Sequence, residues 1–149
     1  MNYQLKRTTA HDNDFKGLIK LLDAELVERN GDIQDLYKVH NKTDFIKNVV
    51  VAYANSAPVG CGSFKTFEGQ AEIKRMFVNQ SYRGKGIAKS ILSELENWAK
   101  ELKFTHTVLE TGHNQIEAIA LYKKTGYRLI PNYGPYMNLP DSICMRKTL

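Results

Sequence analysis

Hydrophobic residues recur along this chain with a helical period in some segments and lie between turn residues in others. In residues 12–30 they are spaced three and four apart, which predicts a helix that Asn30 and Gly31 terminate. A weaker helical pattern occupies residues 32–48, and residues 115–124 are predicted to form a further helix. A strong stripe in residues 87–102 predicts a helix whose buried face consists of Ile87, Ile91, Leu92, Leu95, Trp98, Ala99 and Leu102.

Seven shorter apolar segments lie between turns and are predicted to be strands. They are residues 3–8, 48–54, 59–67, 71–78, 105–111, 127–131 and 142–148. The strands before residue 78 are joined by short turns, which predicts an antiparallel meander. The strand, helix and strand within residues 72–111 form a βαβ crossover, so the fourth and fifth strands are expected to be parallel and to splay apart. We therefore predict an α/β (α+β) fold in one domain, residues 1–149, with a mixed, mostly antiparallel sheet of six to seven strands and about four helices.

Composition is that of an ordinary globular domain, with 42% hydrophobic and 25% charged residues among 149. No run approaches the ~18 apolar residues of a membrane span, and the N-terminus has no apolar signal segment. We expect a cytoplasmic protein that does not act at a membrane. Cys61 and Cys144 are expected to be reduced packing residues, and the histidines show no metal-ligand spacing, so no metal site is predicted.

The chain carries 21 Lys and Arg residues against 16 Asp and Glu residues, a net charge of +5. A basic excess is typical of nucleic-acid-binding proteins, but here the basic residues are scattered among acidic ones. We therefore expect no nucleic-acid partner. A polyanionic cofactor explains the excess better, since Arg83, Lys85 and Lys89 lie close together in the sequence.

The run Arg83-Gly84-Lys85-Gly86 stands between a predicted strand and the amphipathic helix. Glycines let the main chain curl so that successive N–H groups and the positive end of the helix dipole face one anion. The spacing is not that of a Walker A loop, which needs four residues between its glycines. Lys89 occupies the third glycine position of the dinucleotide-binding pattern GxGxxG and disfavours it. The remaining pattern is Arg or Gln, two residues, Gly, one residue, and Gly or Ala, which Arg83, Gly86 and Ala88 satisfy.

Residues 115–127 carry a second pattern, in which a small residue, a tyrosine and a glycine followed by an aromatic stand at fixed offsets. These residues are Ala118, Tyr122, Gly126 and Tyr127. Together with the loop at 83–88 and the strand at 71–78, this segment resembles the GNAT superfamily of acetyl-CoA-dependent N-acetyltransferases. The resemblance implies acetyl-CoA as co-substrate and a V-shaped opening between the fourth and fifth strands that holds its pantetheine arm.

The resemblance also implies which residues bind this co-substrate. The main chain of residues 76–78 is expected to bind the pantetheine arm, and residues 83–88 the pyrophosphate. Gln115 stands where the family commonly has an asparagine. The full predicted set is Met76, Phe77, Val78, Arg83, Gly84, Lys85, Gly86, Ile87, Ala88, Gln115 and Tyr122.

The implied reaction is direct attack of a primary amine on the acetyl thioester in a ternary complex. Primary amines are mostly protonated at neutral pH, so a proton acceptor is needed. Glu72 is predicted to be this base, because many family members carry a glutamate on the central strand; the alternative is a solvent-exposed strand residue beside Lys74. Tyr122 is predicted to protonate the leaving thiolate, and the alternative is an aromatic residue of the core.

The acceptor is expected to be a small amine, such as an amino acid or an amino-acid-like metabolite. The residues predicted to contact it, each with a purely structural role as the alternative, are Tyr37, Glu110, Tyr133 and Tyr136. Two other functions stay open, namely acetylation of a protein N-terminus or lysine, and a non-catalytic module that binds acyl-CoA. Because homodimers are common in the family, a homodimer also stays open.

Overall fold

The computed structural model describes residues 3–30 and 46–149 of the chain. Tyr37 and nearly all of the weak helical pattern at 32–48 lie outside the described residues. Three strands have the bounds predicted from the sequence, and the others differ by at most two residues at an end. The elements are β1 (Tyr3–Thr8), α1 (Asn13–Asn30), β2 (Asn48–Ala54), β3 (Ala57–Phe67), β4 (Gln70–Val78), α2 (Ile87–Glu101), β5 (His106–Gly112), α3 (Ile116–Lys124), β6 (Arg128–Ile130) and β7 (Ser142–Thr148).

The strands form one sheet of seven in the order β1-β2-β3-β4-β5-β7-β6. All neighbours are antiparallel except β4 and β5, which are parallel. The parallel pair is joined through α2, as a βαβ crossover requires. The predicted mixed, mostly antiparallel sheet is therefore confirmed. The described part of the chain also contains three α-helices.

β4 and β5 stay together over only a short distance. Residues 71–73 of β4 pair with residues 107–109 of β5, although β4 continues to Val78 and β5 to Gly112. Over that length β5 remains paired with β7 on its other side. The predicted splay is confirmed, and it begins directly after Ile73 and Leu109. Beyond this point the β4 edge that faces β5 has no ladder partner among the described strands, so it can bind an extended ligand.

β4 carries one extra residue just beyond the start of the splay. Cys61 pairs with Phe77 and Ser63 with Lys74, so two steps along β3 correspond to three along β4. This is a β-bulge, and Arg75 within it has a φ of 59°, a left-handed conformation that is uncommon for a residue with a side chain. The Ser63 hydroxyl donates to the Lys74 carbonyl at 2.8 Å, which fixes the bulge from the β3 side.

Two apolar clusters cover the two faces of the sheet. Val49 and Val51 of β2 belong to the cluster beneath α1, whereas Val50 and Ala52 belong to the cluster beneath α2. Successive side chains of a strand point to opposite faces, so one strand serves both clusters. The predicted α1 stripe is confirmed by its buried members Phe15, Leu18, Ile19 and Leu22.

The predicted α2 stripe is confirmed except at its last position. Leu102 is the C-cap of α2 and is 50% exposed, so the prediction that it is buried is wrong. Lys103, the residue after this C-cap, takes a left-handed conformation with φ of 74°. The helix therefore ends at Glu101, and Leu102 is not part of its buried face. The members of the stripe that are buried are Ile87, Ile91, Leu92, Leu95 and Ala99, with Trp98 partly buried.

A close contact at Gly62 joins α2 to the bulged part of β4. A Cβ atom placed on Gly62 would meet the Met76 sulfur, and it would lie 2.9 Å from both Ile91 Cγ2 and Leu95 Cδ1. Such separations are shorter than packed carbon atoms allow. Gly62 thus lets α2 lie directly against the sheet beside the bulge.

We predict that Gly62→Ala lowers the free energy of unfolding by about 1–3 kcal/mol, because one methyl group overpacks this contact. The matched control is Gly17→Ala in α1, where an added Cβ meets nothing within 4 Å and where alanine is the better helix former. Urea denaturation followed by circular dichroism measures both. Equal midpoints for Gly62→Ala and the wild-type protein would contradict the close packing described.

Candidate active site

The loop before α2 presents main-chain N–H groups at one point. Gly84 and Gly86 have φ values of 79° and 84°, the left-handed conformation that glycine adopts without strain. The first intrahelical bond of α2 runs from Ser90 N–H to the Gly86 carbonyl at 3.1 Å. The N–H groups of Ile87 and Ala88 precede it and have no helical acceptor. With the helix dipole, they form an arrangement suited to an anion.

Arg83 is held by protein groups on three sides. Its guanidinium donates to both carboxylate oxygens of Glu25 in α1 at 2.9 and 2.6 Å, and its Nε donates to the Val78 carbonyl at 2.7 Å. It also lies 5.6 Å from the centre of the Phe77 ring. The bond to Glu25 raises the pKa of Arg83. The side chain therefore ties the loop to α1 and β4, and a contact of Arg83 with pyrophosphate stays a prediction.

Lys85 and Lys89, in contrast, are exposed beside this loop. The Lys85 ammonium lies 5.7 Å from the centre of the Tyr82 ring, an arrangement that leaves its charge at the surface. A phosphate bound at the start of α2 would be near both cations. The predicted cluster of positive charge at residues 83–89 is therefore contributed by these two lysines.

Glu72 lies in a buried pair of opposite charge. It is 2% exposed, so the alternative of a solvent-exposed strand residue is wrong. Its Oε2 accepts a hydrogen bond of 2.7 Å from the Tyr133 hydroxyl, and its Oε1 lies 3.9 Å from the Lys74 ammonium. Lys74 in turn donates to the Tyr136 hydroxyl at 2.7 Å. Each member of the pair is thus held by one tyrosine.

Lys74 is the residue of this cluster that the sequence prediction did not assign to the site. Burial lowers the pKa of its ammonium, and the Glu72 carboxylate opposes that shift. The signal that would have found it is the period of two along β4, which places residues 72 and 74 on the same face of a strand. A lysine two positions from the predicted base was therefore a candidate on spacing alone.

The turn that carries the two tyrosines packs against the end of β3. The ring centres of Tyr133 and Phe67 lie 5.0 Å apart, and those of Tyr133 and Tyr136 lie 5.7 Å apart nearly edge to face. Tyr136 is 1% exposed, whereas Tyr133 is only partly buried. The structure therefore brings both predicted acceptor residues to Glu72 and Lys74, with Tyr133 on the more accessible side.

Glu110 and Tyr122 lie on the β5 side of the splay. Glu110 is the first residue of β5 beyond the paired part, and its Oε2 accepts a hydrogen bond of 2.7 Å from Ser142. Burial raises the pKa of Glu110. Burial also raises the pKa of the Tyr122 phenol, and the charge of Glu110 adds to this effect. Tyr122 packs in the core beside Tyr127, at 5.6 Å between ring centres, so its ring has a structural role whatever its hydroxyl does.

Gln115 follows the end of β5 and is the N-cap of α3. Its N–H donates to the Gly112 carbonyl at 3.0 Å, which places it at the mouth of the splay. Its contact with the co-substrate stays a prediction, as does the binding of the pantetheine arm by the main chain of Met76, Phe77 and Val78.

Two absences hold for the described ranges, 3–30 and 46–149. Within them no group of three or more His, Cys, Asp and Glu side chains is arranged to hold a metal ion. No helix in the same ranges has both the length and the apolar character needed to cross a membrane.

The splay, the bulge and the loop before α2 are accompanied by a match of the sequence to a known protein family. The profile of the family described as "Acetyltransferase (GNAT) family" matches residues 15–127, more than half of the chain. The chain belongs to the GNAT family. The resemblance seen in the loop at 83–88 and in residues 115–127 is thereby confirmed, and the protein is an acetyltransferase.

Several GNAT proteins are similar to this chain along much of its length. The IAA acetyltransferase of Azospirillum brasilense is 38% identical over 102 residues, which are 67% of this chain and 67% of that protein. A Klebsiella pneumoniae protein provisionally named acyl-CoA N-acyltransferase is 30% identical, with a TM-score of 0.82, over 99% of this chain and 97% of that chain. The paia N-acetyltransferase of Thermoplasma acidophilum, solved with coenzyme A, is 18% identical with a TM-score of 0.72 and full coverage of both chains, a likeness of fold.

Proposed function

We propose that this GNAT acetyltransferase moves the acetyl group of acetyl-CoA to the primary amine of a small molecule, such as an amino acid or an amino-acid-like metabolite. The observation that carries the proposal is the position of the buried Glu72, which is hydrogen-bonded to the partly buried Tyr133. Glu72 lies two residues before Lys74, the first residue of β4 past its pairing with β5. A thioester held in the splay would thus lie next to a carboxylate.

Two parts of the chain support the binding of acetyl-CoA. Residues 76–78 of β4, past the end of its ladder with β5, offer main-chain groups to the amides of the pantetheine arm, like one more strand. The loop at 83–88 offers main-chain N–H groups to the pyrophosphate, with open space beside Gly84 and Gly86. The Thermoplasma relative, which shares the fold, was solved with coenzyme A. Acetyl-CoA supplies an activated acetyl group, and the chain's residues align and deprotonate the acceptor.

Proton transfer from the acceptor ammonium is assigned to Glu72. A neutral amine attacks the thioester carbonyl, and a carboxylate held close to it accepts the proton that the amine loses. The Lys74 ammonium lies 3.9 Å from Oε1 of Glu72 and offsets the cost of burying this carboxylate. Tyr133 and Tyr136 hold Glu72 and Lys74, respectively, in one geometry through their hydrogen bonds.

Protonation of the leaving thiolate is assigned to Tyr122. Its raised pKa keeps the phenol protonated at neutral pH, so the proton is present when the thiolate departs. Its ring is fixed by packing against Tyr127, which orients the hydroxyl without further groups.

The size of the acceptor is inferred from the burial of Glu72 and of the residues around it. Glu72 and Tyr136 are both buried, and the turn that carries Tyr136 and Tyr133 packs on Phe67. Narrow access supports a small amine over the surface of a folded protein. The relative from Azospirillum carries IAA in its name, so this compound belongs in the set of acceptors to be tested.

Release of free CoA thiol from acetyl-CoA in the presence of single acceptors tests the proposal. The panel comprises amino acids, other small primary amines, IAA, and peptides with a free N-terminus or a lysine. We expect turnover with one or more small amines. Turnover with peptides alone would favour a protein acetyltransferase, and acetyl-CoA binding without any turnover would favour a non-catalytic module.

We predict that the double variant Lys85→Glu, Lys89→Glu binds acetyl-CoA about 5- to 30-fold more weakly, a loss of about 1–2 kcal/mol, because two cations near the phosphates become anions. Isothermal titration calorimetry at low salt measures this loss, which should shrink at high salt. The control is Lys16→Glu, Lys20→Glu, an equal charge change on the exposed side of α1. Equal affinities for the two double variants would argue against pyrophosphate binding by this loop.

We predict that Tyr122→Phe lowers kcat on the order of 100-fold with unchanged affinity for acetyl-CoA, because the departing thiolate loses its proton donor. Steady-state kinetics and calorimetry together measure the two quantities. Tyr127→Phe is the control: its hydroxyl lies 2.8 Å from both Thr107 and Glu96 and serves packing. A Tyr122→Phe enzyme with wild-type kcat would remove the assignment.

A further inference from the structure

The buried position of Glu72 poses a problem for direct proton transfer. Glu72 is 2% exposed, and one of its oxygens already accepts a 2.7 Å hydrogen bond from the Tyr133 hydroxyl. Its other oxygen faces Lys74. A general base must lie within hydrogen-bond reach of the proton it removes, or be connected to it by one intervening group. Because Glu72 is buried and Tyr133 covers its Oε2, the shortest connection from an acceptor to this carboxylate runs through one intervening group.

Tyr133 is placed to be that group. It is only partly buried, whereas Glu72 and Tyr136 are buried, so of these three residues it is the one that an arriving acceptor can approach. We propose that Tyr133 is a catalytic proton relay, which receives a proton from the acceptor ammonium and passes its own proton to Glu72. This inference rests on the proposed function.

The relay balances without any further reactant. An N–H bond of the ammonium breaks, and its proton forms a new O–H bond at the Tyr133 oxygen. The original O–H bond of Tyr133 breaks, and that proton binds Oε2 of Glu72. The products are a neutral amine with its electron pair, an unchanged phenol and a neutral carboxylic acid. The amine then attacks the thioester carbonyl.

The surroundings of Tyr133 suit a relay rather than a base. Burial and the neighbouring Glu72 carboxylate raise the pKa of Tyr133, so the phenol does not ionise on its own and transfers a proton only as it receives another. Its ring is fixed between Phe67 and Tyr136. The other charged or titratable groups that face the pair are Lys65 of β3, Arg75 of β4, Glu110 of β5 and Cys144 of β7.

The test is the dependence of kcat/KM on the basicity of the acceptor. We expect Tyr133→Phe and Glu72→Gln each to lose on the order of 100-fold with strongly basic amines. The loss for Tyr133→Phe should shrink towards onefold with amines that are already neutral at the assay pH, because these bring no proton to be relayed. The double variant should lose about as much as either single variant, since the two residues act as one unit.

Phe at position 133 keeps the ring contacts, so the variant is expected to fold; acetyl-CoA affinity and thermal unfolding check this independently. The matched control is Tyr53→Phe, which removes another 2.7 Å tyrosine–carboxylate hydrogen bond, to Asp14, far along the sheet from the splay. Its kcat/KM should equal that of the wild-type enzyme with every amine.

Two results would overturn the relay alone. One is wild-type activity of Tyr133→Phe while Glu72→Gln is impaired. The other is an equal loss for Tyr133→Phe with every amine, as a merely structural role would give. A wild-type enzyme that acetylates no amine would instead overturn the proposed function, and the relay with it.

Discussion

The extra residue in β4 constrains the rest of the candidate site. An antiparallel strand that kept its register past Lys74 would continue flat, but the bulge at Arg75 bends β4 where its pairing with β5 has just ended. The left-handed conformation of Arg75 is unfavourable for a residue with a side chain, so neighbouring contacts must maintain it. Ser63 supports it from β3, and the Arg75 guanidinium binds Asp23 of α1 at 2.7 Å.

α1 thereby stabilises two distant parts of the site with two carboxylates. Asp23 binds Arg75 at the bulge, and Glu25 binds Arg83 in the loop before α2. Both contacts are charge-assisted hydrogen bonds, and the Arg83 pair is bidentate, the geometry in which such pairs are strongest. A helix on one face of the sheet thus holds the segments at both ends of the exposed β4 edge. Disturbing α1 would be felt at the bulge and at the loop together.

Local patterns predicted most of the fold and the loop at 83–88. Strand periods, turn residues and the α1 and α2 stripes are properties of neighbouring residues, and β1, β2 and β7 have the bounds expected from them. The glycine pattern before α2 is local in the same sense. Leu102 was misplaced because a stripe does not specify the residue at which a helix ends.

Such local patterns could not predict the hydrogen bonds that organise the site. Glu72 and Tyr133 are 61 residues apart, and Lys74 and Tyr136 are 62 apart. The turn that packs on Phe67 brings these partners together, and no periodicity encodes that packing. The side chain of Arg83 is a similar case, since its partner Glu25 lies on an earlier helix. The sequence named Glu72, Tyr133 and Tyr136 as candidates, but it did not indicate the hydrogen bonds that join them to each other and to Lys74.

The close packing of α2 on the sheet at Gly62 fixes the distance between the loop before α2 and the bend in β4. Side-chain atoms of Met76, next to the bulge, and of Ile91 and Leu95 in α2 occupy the space that a Cβ on Gly62 would need, so α2 and the bend in β4 pack as one rigid unit. An acyl carrier bound by its phosphates at the loop before α2 would have its reactive carbonyl carbon at a fixed distance from that loop. If Glu72 accepts the proton, as proposed, the length of the arm between phosphate and thioester becomes a criterion for the acyl donor in addition to its charge.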